Sequence, residues 1–85
     1  MKLLYFAWLR ERIGRAEEDL APPAEVADVA RLIDWLKARG PGYAAAFADL
    51  RVVRVAVNQD YVPVDHPVRA GDEVAFFPPV TGGSA

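Results

Sequence analysis

The run Phe76-Phe77-Pro78-Pro79-Val80-Thr81-Gly82-Gly83 places the tightest limit on how this chain can fold. An alternating apolar segment starting at Glu73 leads into it. Two successive prolines then hold φ near about −65° and remove two N–H donors, so no ladder continues past them. The last strand must end at residue 77, and the backbone must leave the body extended. Gly82 and Gly83 carry no Cβ, so the backbone there can approach the walls of a narrow channel on another protein. Glycine and serine also close many chains that simply fray. Fraying does not account for two aromatics and two prolines in front of them. The chain therefore divides into a folded domain, residues 1–77, and a flexible C-terminal tail with the diglycine, residues 78–85.

The 85 residues suffice for one core, burying roughly 60–65% of the surface the unfolded chain exposes. A stability on the order of 5–8 kcal/mol is expected. Hydrophobic residues at 53% and charged residues at 26% are globular values that exclude a disordered or fibrous chain. Ten Lys and Arg against twelve Asp and Glu give a net charge of −2 with no basic run, so nucleic acid is not an expected partner. With no cysteine, the chain has no disulfide framework, no cysteine-ligated zinc or iron–sulfur cluster and no thiol nucleophile. Any sulfur chemistry must use another group. The apolar start, Met1 to Trp8, is interrupted by Arg10, Glu11 and Arg12 before a signal peptide or spanning helix can form. The cytoplasm is the expected compartment, with no membrane partner.

Residues 2–8 read as a first strand, with Leu3, Tyr5 and Ala7 on one face and Leu4, Phe6 and Trp8 on the other. Both faces are apolar, so one should pack on a helix while the other needs a further cover, a loop or a partner protein. The chain turns at Gly14. Residues 16–20 return as an edge strand whose Glu17, Glu18 and Asp19 blunt the edge by staying exposed. Asp28 is the expected N-cap of a helix over residues 29–39, closed by Gly40 and Pro41, with Val29, Leu32, Ile33 and Leu36 as its apolar stripe. An Ala-rich stretch at 43–48 can add one helical turn. Residues 51–57 alternate as an interior strand, Asn58-Gln59-Asp60 turns, residues 61–64 form a short strand broken by Pro63, and residues 73–77 form the last strand. This order predicts an α+β fold, a mixed sheet of four to five strands packed on one main helix.

Val55-Ala56-Val57-Asn58-Gln59-Asp60, Asp65-His66-Pro67-Val68 and the continuous stretch from Ala70 through Gly83 closely resemble the small-subunit family of molybdopterin synthase. Tyr5-Phe6-Ala7-Trp8-Leu9-Arg10-Glu11 resembles the opening strand of the same family. The likeness covers nearly the whole chain, with the middle helix matching in pattern more than in identity. Gly71-Asp72-Glu73-Val74 alone is weakly specific, because many ubiquitin-like folds carry a similar turn. Joined to Phe-Phe-Pro-Pro and diglycine, it is specific.

The resemblance implies a ubiquitin-like β-grasp fold and a sulfur carrier. It implies that Gly83, after removal of Ser84 and Ala85, is adenylated by a partner enzyme using ATP and converted to a thiocarboxylate. The sulfur is then donated to cyclic pyranopterin monophosphate inside the large subunit, in molybdenum cofactor biosynthesis. Two small subunits would sit at opposite ends of a large-subunit dimer, a heterotetramer. The carrier itself would bind no cofactor or metal and supply no general acid or base. Adenylation fits the residue types, since a carboxylate becomes a useful acyl donor only when its oxygen is made a leaving group. Residues 78–83, fully extended, reach roughly 20 Å beyond the body.

The partner-binding residues expected on this reading are Phe77, Pro78, Pro79, Val80, Thr81 and Gly82. Phe76 and Phe77 must face opposite ways in a strand, and periodicity with Val74 assigns Phe76 to the core and Phe77 to the partner. His66 beside Asp65 is read as structural or solvated, because no motif places a nucleophile near it. Arg10, Arg12 and Arg15 are read as solvated loop charges rather than an enzyme-binding patch. Asp72 and Glu73 are turn and strand-start residues rather than metal ligands. Two other assignments share these features: a sulfur carrier for thiazole or tRNA thiolation, and a non-covalent β-grasp interaction module. The Phe-Phe-Pro-Pro-Val stretch favours the molybdopterin branch.

Overall fold

Alternating apolar segments pair into one mixed sheet in the computed structural model, which describes residues 1–79. The strands are β1 (Lys2–Tyr5), β2 (Glu17–Asp19), β3 (Arg54–Val57), β4 (Asp60–Val62) and β5 (Glu73–Phe77), in the spatial order β2-β1-β5-β3-β4. The last strand therefore occupies the centre. It runs parallel to β1, with Leu3 beside Val74 and Tyr5 beside Phe76, and antiparallel to β3, with Val55 beside Phe76 and Val57 beside Val74. Those registers put Leu3, Tyr5, Val55, Val57, Val74 and Phe76 on one face, all buried.

Covering that face is α2 (Val29–Lys37), which buries Val29, Leu32, Ile33 and Leu36. Its first N–H groups are satisfied from outside the helix. The Asp28 carboxylate accepts from the Arg31 amide at 2.8 Å, and the carbonyls of His66 and Val64 accept from Val29 and Ala30 at 3.0 and 2.8 Å. The helix ends at Lys37 with Ala38 as its C-cap, short of the expected Arg39, and Gly40 and Pro41 instead begin α3 (Pro41–Ala46), where a proline's missing N–H costs nothing. The Phe76 ring meets Phe47 edge-on at 4.9 Å and stacks on Tyr5 at 6.0 Å. Each fully buried side chain of this size contributes about 1.5–3 kcal/mol.

The first strand is shorter than its apolar run. It stops at Tyr5, because Ala7 takes a positive φ of 56° and the chain turns into α1 (Trp8–Ile13), where the sequence reading placed strand and loop. Leu9 accounts for the helix, being fully buried in the core. Gly14 ends α1 in the left-handed region at φ 92°, its N–H donating to the Arg10 carbonyl at 2.8 Å. Arg51 and Val52, expected as the start of a strand, belong instead to a short 3-10 turn at Leu50–Val52 held by the Asp49 carboxylate, which accepts from the Arg51 amide.

A second correction concerns the acidic edge. Strand β2 lies at the sheet edge and Glu17 and Asp19 are exposed, but the Glu18 side chain is only 5% exposed. Its Oε2 accepts from the Tyr5 and Tyr43 hydroxyls at 2.7 and 2.6 Å, while Arg15 reaches Oε1 at 3.1 Å. One carboxylate thus ties β1, β2 and α3 together. A period of two cannot reveal this, because the tyrosines come from elsewhere in the chain.

Candidate functional site

Among the described residues, no helix lies over the opposite face of the sheet. Strand parity turns Leu4, Ala56, Ala75 and Phe77 to that side, and the two-residue hairpin at Asn58-Gln59 adds Tyr61 by pairing it with Ala56. Both hairpin residues have positive φ, 50° and 75°, the geometry that matches the twist of the strands. Asn58 is held there by its own side chain, which accepts from the Glu73 amide at 3.0 Å and donates to Asp72 at 3.1 Å. Asp72 and Glu73 therefore work at the turn and strand start, as expected.

Small alanines in the middle of this face leave a shallow depression of about 410 Å³ between Leu4, Phe6, Tyr61 and Phe77, with Gln59 and Glu73 at its far end. Phe77 sits among its aromatic rings, edge-on to Phe6 at 5.9 Å and to Tyr61 at 5.3 Å. Phe6 is 48% exposed and Tyr61 65% exposed. Two such rings standing in water beside each other are costly for a lone domain and useful at an interface, where aromatics are enriched. Phe76, one residue earlier, is fully buried. The opposed roles expected for the adjacent pair match their burial.

The tail leaves from this end of the face. Pro78 and Pro79 follow Phe77 directly and are half-buried. Val80, Thr81, Gly82 and Gly83, with Ser84 and Ala85, lie outside the described residues. His66 is half-buried in the loop that caps α2, its amide donating to the Pro63 carbonyl at 3.1 Å. Among the described residues no group of three or more His, Cys, Asp or Glu side chains gathers as a metal site, and no helix is long and apolar enough to cross a membrane.

Electrostatic perturbation concentrates away from the open face. Burial, reinforced by the Glu18 carboxylate, pushes the Tyr5 hydroxyl well above its ordinary range and raises Tyr43 in the same direction. Hydrogen bonds from Arg51 hold the exposed Asp49 carboxyl low and raise the Arg51 guanidinium in return.

Of the partner-binding residues named from sequence, Phe77 lies in this aromatic group and Pro78 and Pro79 follow it, whereas Phe6 and Tyr61, which flank Phe77, were not named. For Phe6 the signal was present in the second apolar face of the first strand. Tyr61 needed the hairpin register, which the sequence alone does not set.

The arrangement, a five-stranded mixed sheet grasping a central helix with its last strand in the middle, is a ubiquitin-like β-grasp fold. Residues 3–83 match the ThiS family, and the chain belongs to that family. It is 43% identical over 83 residues to the molybdopterin synthase sulfur carrier subunit of Escherichia coli (strain K12), covering 98% of this chain and 99% of that protein. The protein of the same name from Haemophilus influenzae is 39% identical over 83 residues, covering 98% of this chain and 99% of the relative. Among solved structures, a Pyrococcus furiosus protein described as molybdopterin converting factor, subunit 1, superposes with a TM-score of 0.74 at 36% identity, covering 93% of this chain and 95% of that one. The relatives are those the C-terminal motif led us to expect.

Proposed function

We propose that this chain is the sulfur-carrying subunit of a molybdopterin synthase, acting in the cytoplasm. The observation that carries this reading is the exit of the Phe-Phe-Pro-Pro tail from the central strand at one end of an open aromatic face, in a chain 43% identical to a protein of that name. The face docks on a partner, and the tail, running on through Val80, Thr81 and Gly82, delivers Gly83 into the partner's channel. Two partners would use this route in turn, an ATP-dependent adenylating enzyme and the large synthase subunit.

Once Gly83 is the terminal residue, its carboxylate oxygen attacks the α-phosphorus of ATP, forming an acyl adenylate and releasing pyrophosphate. Sulfide equivalents then displace AMP at the carbonyl carbon and leave a thiocarboxylate. The sulfur bonds to a carbon of cyclic pyranopterin monophosphate, and water then cleaves the acyl C–S bond, leaving the sulfur on the pterin and returning the Gly83 carboxylate. Through this cycle the carrier supplies reach and a reactive end while its partners supply acid, base and nucleotide. In the chain as written Gly83 is amide-bonded to Ser84, so removal of Ser84 and Ala85 must come first.

Intact-mass measurement tests this. The chain ending at Gly83 is incubated with the adenylating enzyme, ATP and a sulfur source, and the mass gain of one oxygen replaced by one sulfur is expected. Deleting Gly83 should abolish both the exchange and dithiolene formation while leaving the fold intact. An unchanged mass on the chain ending at Gly83 would leave only a non-covalent docking module. Exchange without sulfur transfer to the pyranopterin would move the assignment to thiazole or tRNA thiolation.

A further inference from the structure

On β3 and β5 the open face carries one charged side chain at the end where the tail leaves. Arg54 opens β3 directly opposite Phe77, and its parity with Ala56 puts it on the same side of the sheet. The ladder to β4 ends at Val55 and Val62, so no strand flanks Arg54 on its other side. Its neighbours Val53 and Val55 are buried, whereas Arg54 is exposed. Lys2 and Glu73 stand opposite each other in register at the far end of this side, and Glu17 and Asp19 share it on the edge strand β2.

Among the described residues, Arg54 makes no ion pair. The nearest cation in the chain, Arg51, is held by Asp49, and Arg15, Arg31 and Arg39 also have carboxylate partners. A partner that covers Phe77 and receives Pro78 must also take water away from the guanidinium beside them. A desolvated, unpaired charge strongly opposes association, and a planar guanidinium is matched by a carboxylate accepting two parallel hydrogen bonds.

We propose that Arg54 is the specificity contact of the docking face, and that the large subunit presents an aspartate or glutamate carboxylate to it beside the site that takes Phe77. The inference rests on the docking reading given above. It adds the partner's chemistry and an orientation. The chain is net acidic at −2, so an acidic partner surface is repelled elsewhere and attracted at the tail exit, which directs the tail towards the channel mouth.

The test is the association kinetics of the full chain with the large subunit of the same organism, at low and high ionic strength. Arg54→Gln should weaken binding roughly 5–20-fold and remove most of its salt dependence, and Arg54→Glu should weaken it about 100-fold or more. Arg54→Lys should recover part of the Gln loss, because it restores charge without the fork. Phe77→Ala, as reference, should weaken binding about 10-fold or more with the salt dependence kept. Wild-type affinity for Phe77→Ala would overturn both the docking reading and this inference. Weak binding by Phe77→Ala, with the rate and salt dependence of Arg54→Gln unchanged, would overturn the role of Arg54 alone. Unaltered melting curves for the Arg54 variants would show that the effects arise at the interface.

Discussion

Phe76 and Phe77 have the same side chain and adjacent positions on the same strand, yet one is sealed under α2 and α3 while the other stands among exposed rings. The difference belongs to the two faces of the sheet rather than to the residues. The covered face is closed by a helix stripe and by polar ties at its rim, so its side chains act on stability. The open face is floored by Ala56 and Ala75 and rimmed by aromatics, so its side chains are free to act on a second molecule. A β-grasp domain of this size has material to cover one face only.

The contrast is sharpest in Phe76→Ala, which should cost about 3–5 kcal/mol in denaturant unfolding. A loss below about 1 kcal/mol would erase the distinction between the faces. Glu18→Ala comes next, at about 2–4 kcal/mol, because it strands two tyrosine hydroxyls that now donate to one carboxylate.

The same cluster sets an alkaline limit. Tyr5 and Tyr43 hold their protons more tightly folded than unfolded, where they titrate near 10.0. Their stabilisation is therefore complete below about pH 10 and falls above it, by up to about 1.4 kcal/mol per pH unit for each tyrosine that ionises only on unfolding. Tyr43→Phe should reduce that slope by about half in melts taken across pH 9 to 11.

Gly42→Ala should cost about 1–3 kcal/mol, since a Cβ there would come within 2.5 Å of the Arg12 carbonyl oxygen where α3 crosses α1. The smallest effect on stability, under about 1 kcal/mol, is expected for Phe77→Ala, although it should weaken partner binding more than any of these core and rim substitutions. Equal destabilisation by Phe76→Ala and Phe77→Ala would show that the open face is closed in solution.

Local chemistry made much of this legible from sequence. The Asp28 cap, the α2 stripe, the turn at Asn58-Gln59 and the opposed pair at residues 76 and 77 are each set by residues within a few positions, where periodicity and capping rules apply. The misreadings share a different cause. Residues 6–8 continue an apolar run, so nothing in the pattern announces that Ala7 turns and that Leu9 belongs to a helix. Glu18 reads as an exposed edge charge until Tyr5 and Tyr43, 13 and 25 positions away, arrive beside it. The aromatic group around Phe77 combines Phe6, just past β1, with Tyr61 of β4 and Phe77 of β5, and only the register of the assembled sheet brings them to one surface.

The central place of β5 has a mechanical consequence. A tail that leaves from an edge strand can be peeled away one hydrogen bond at a time. Here the tail continues a strand bonded on both sides, to β1 and to β3, so a pull along it loads two ladders together in shear. Tension on Pro78 is therefore shared across the sheet before any single pairing gives way.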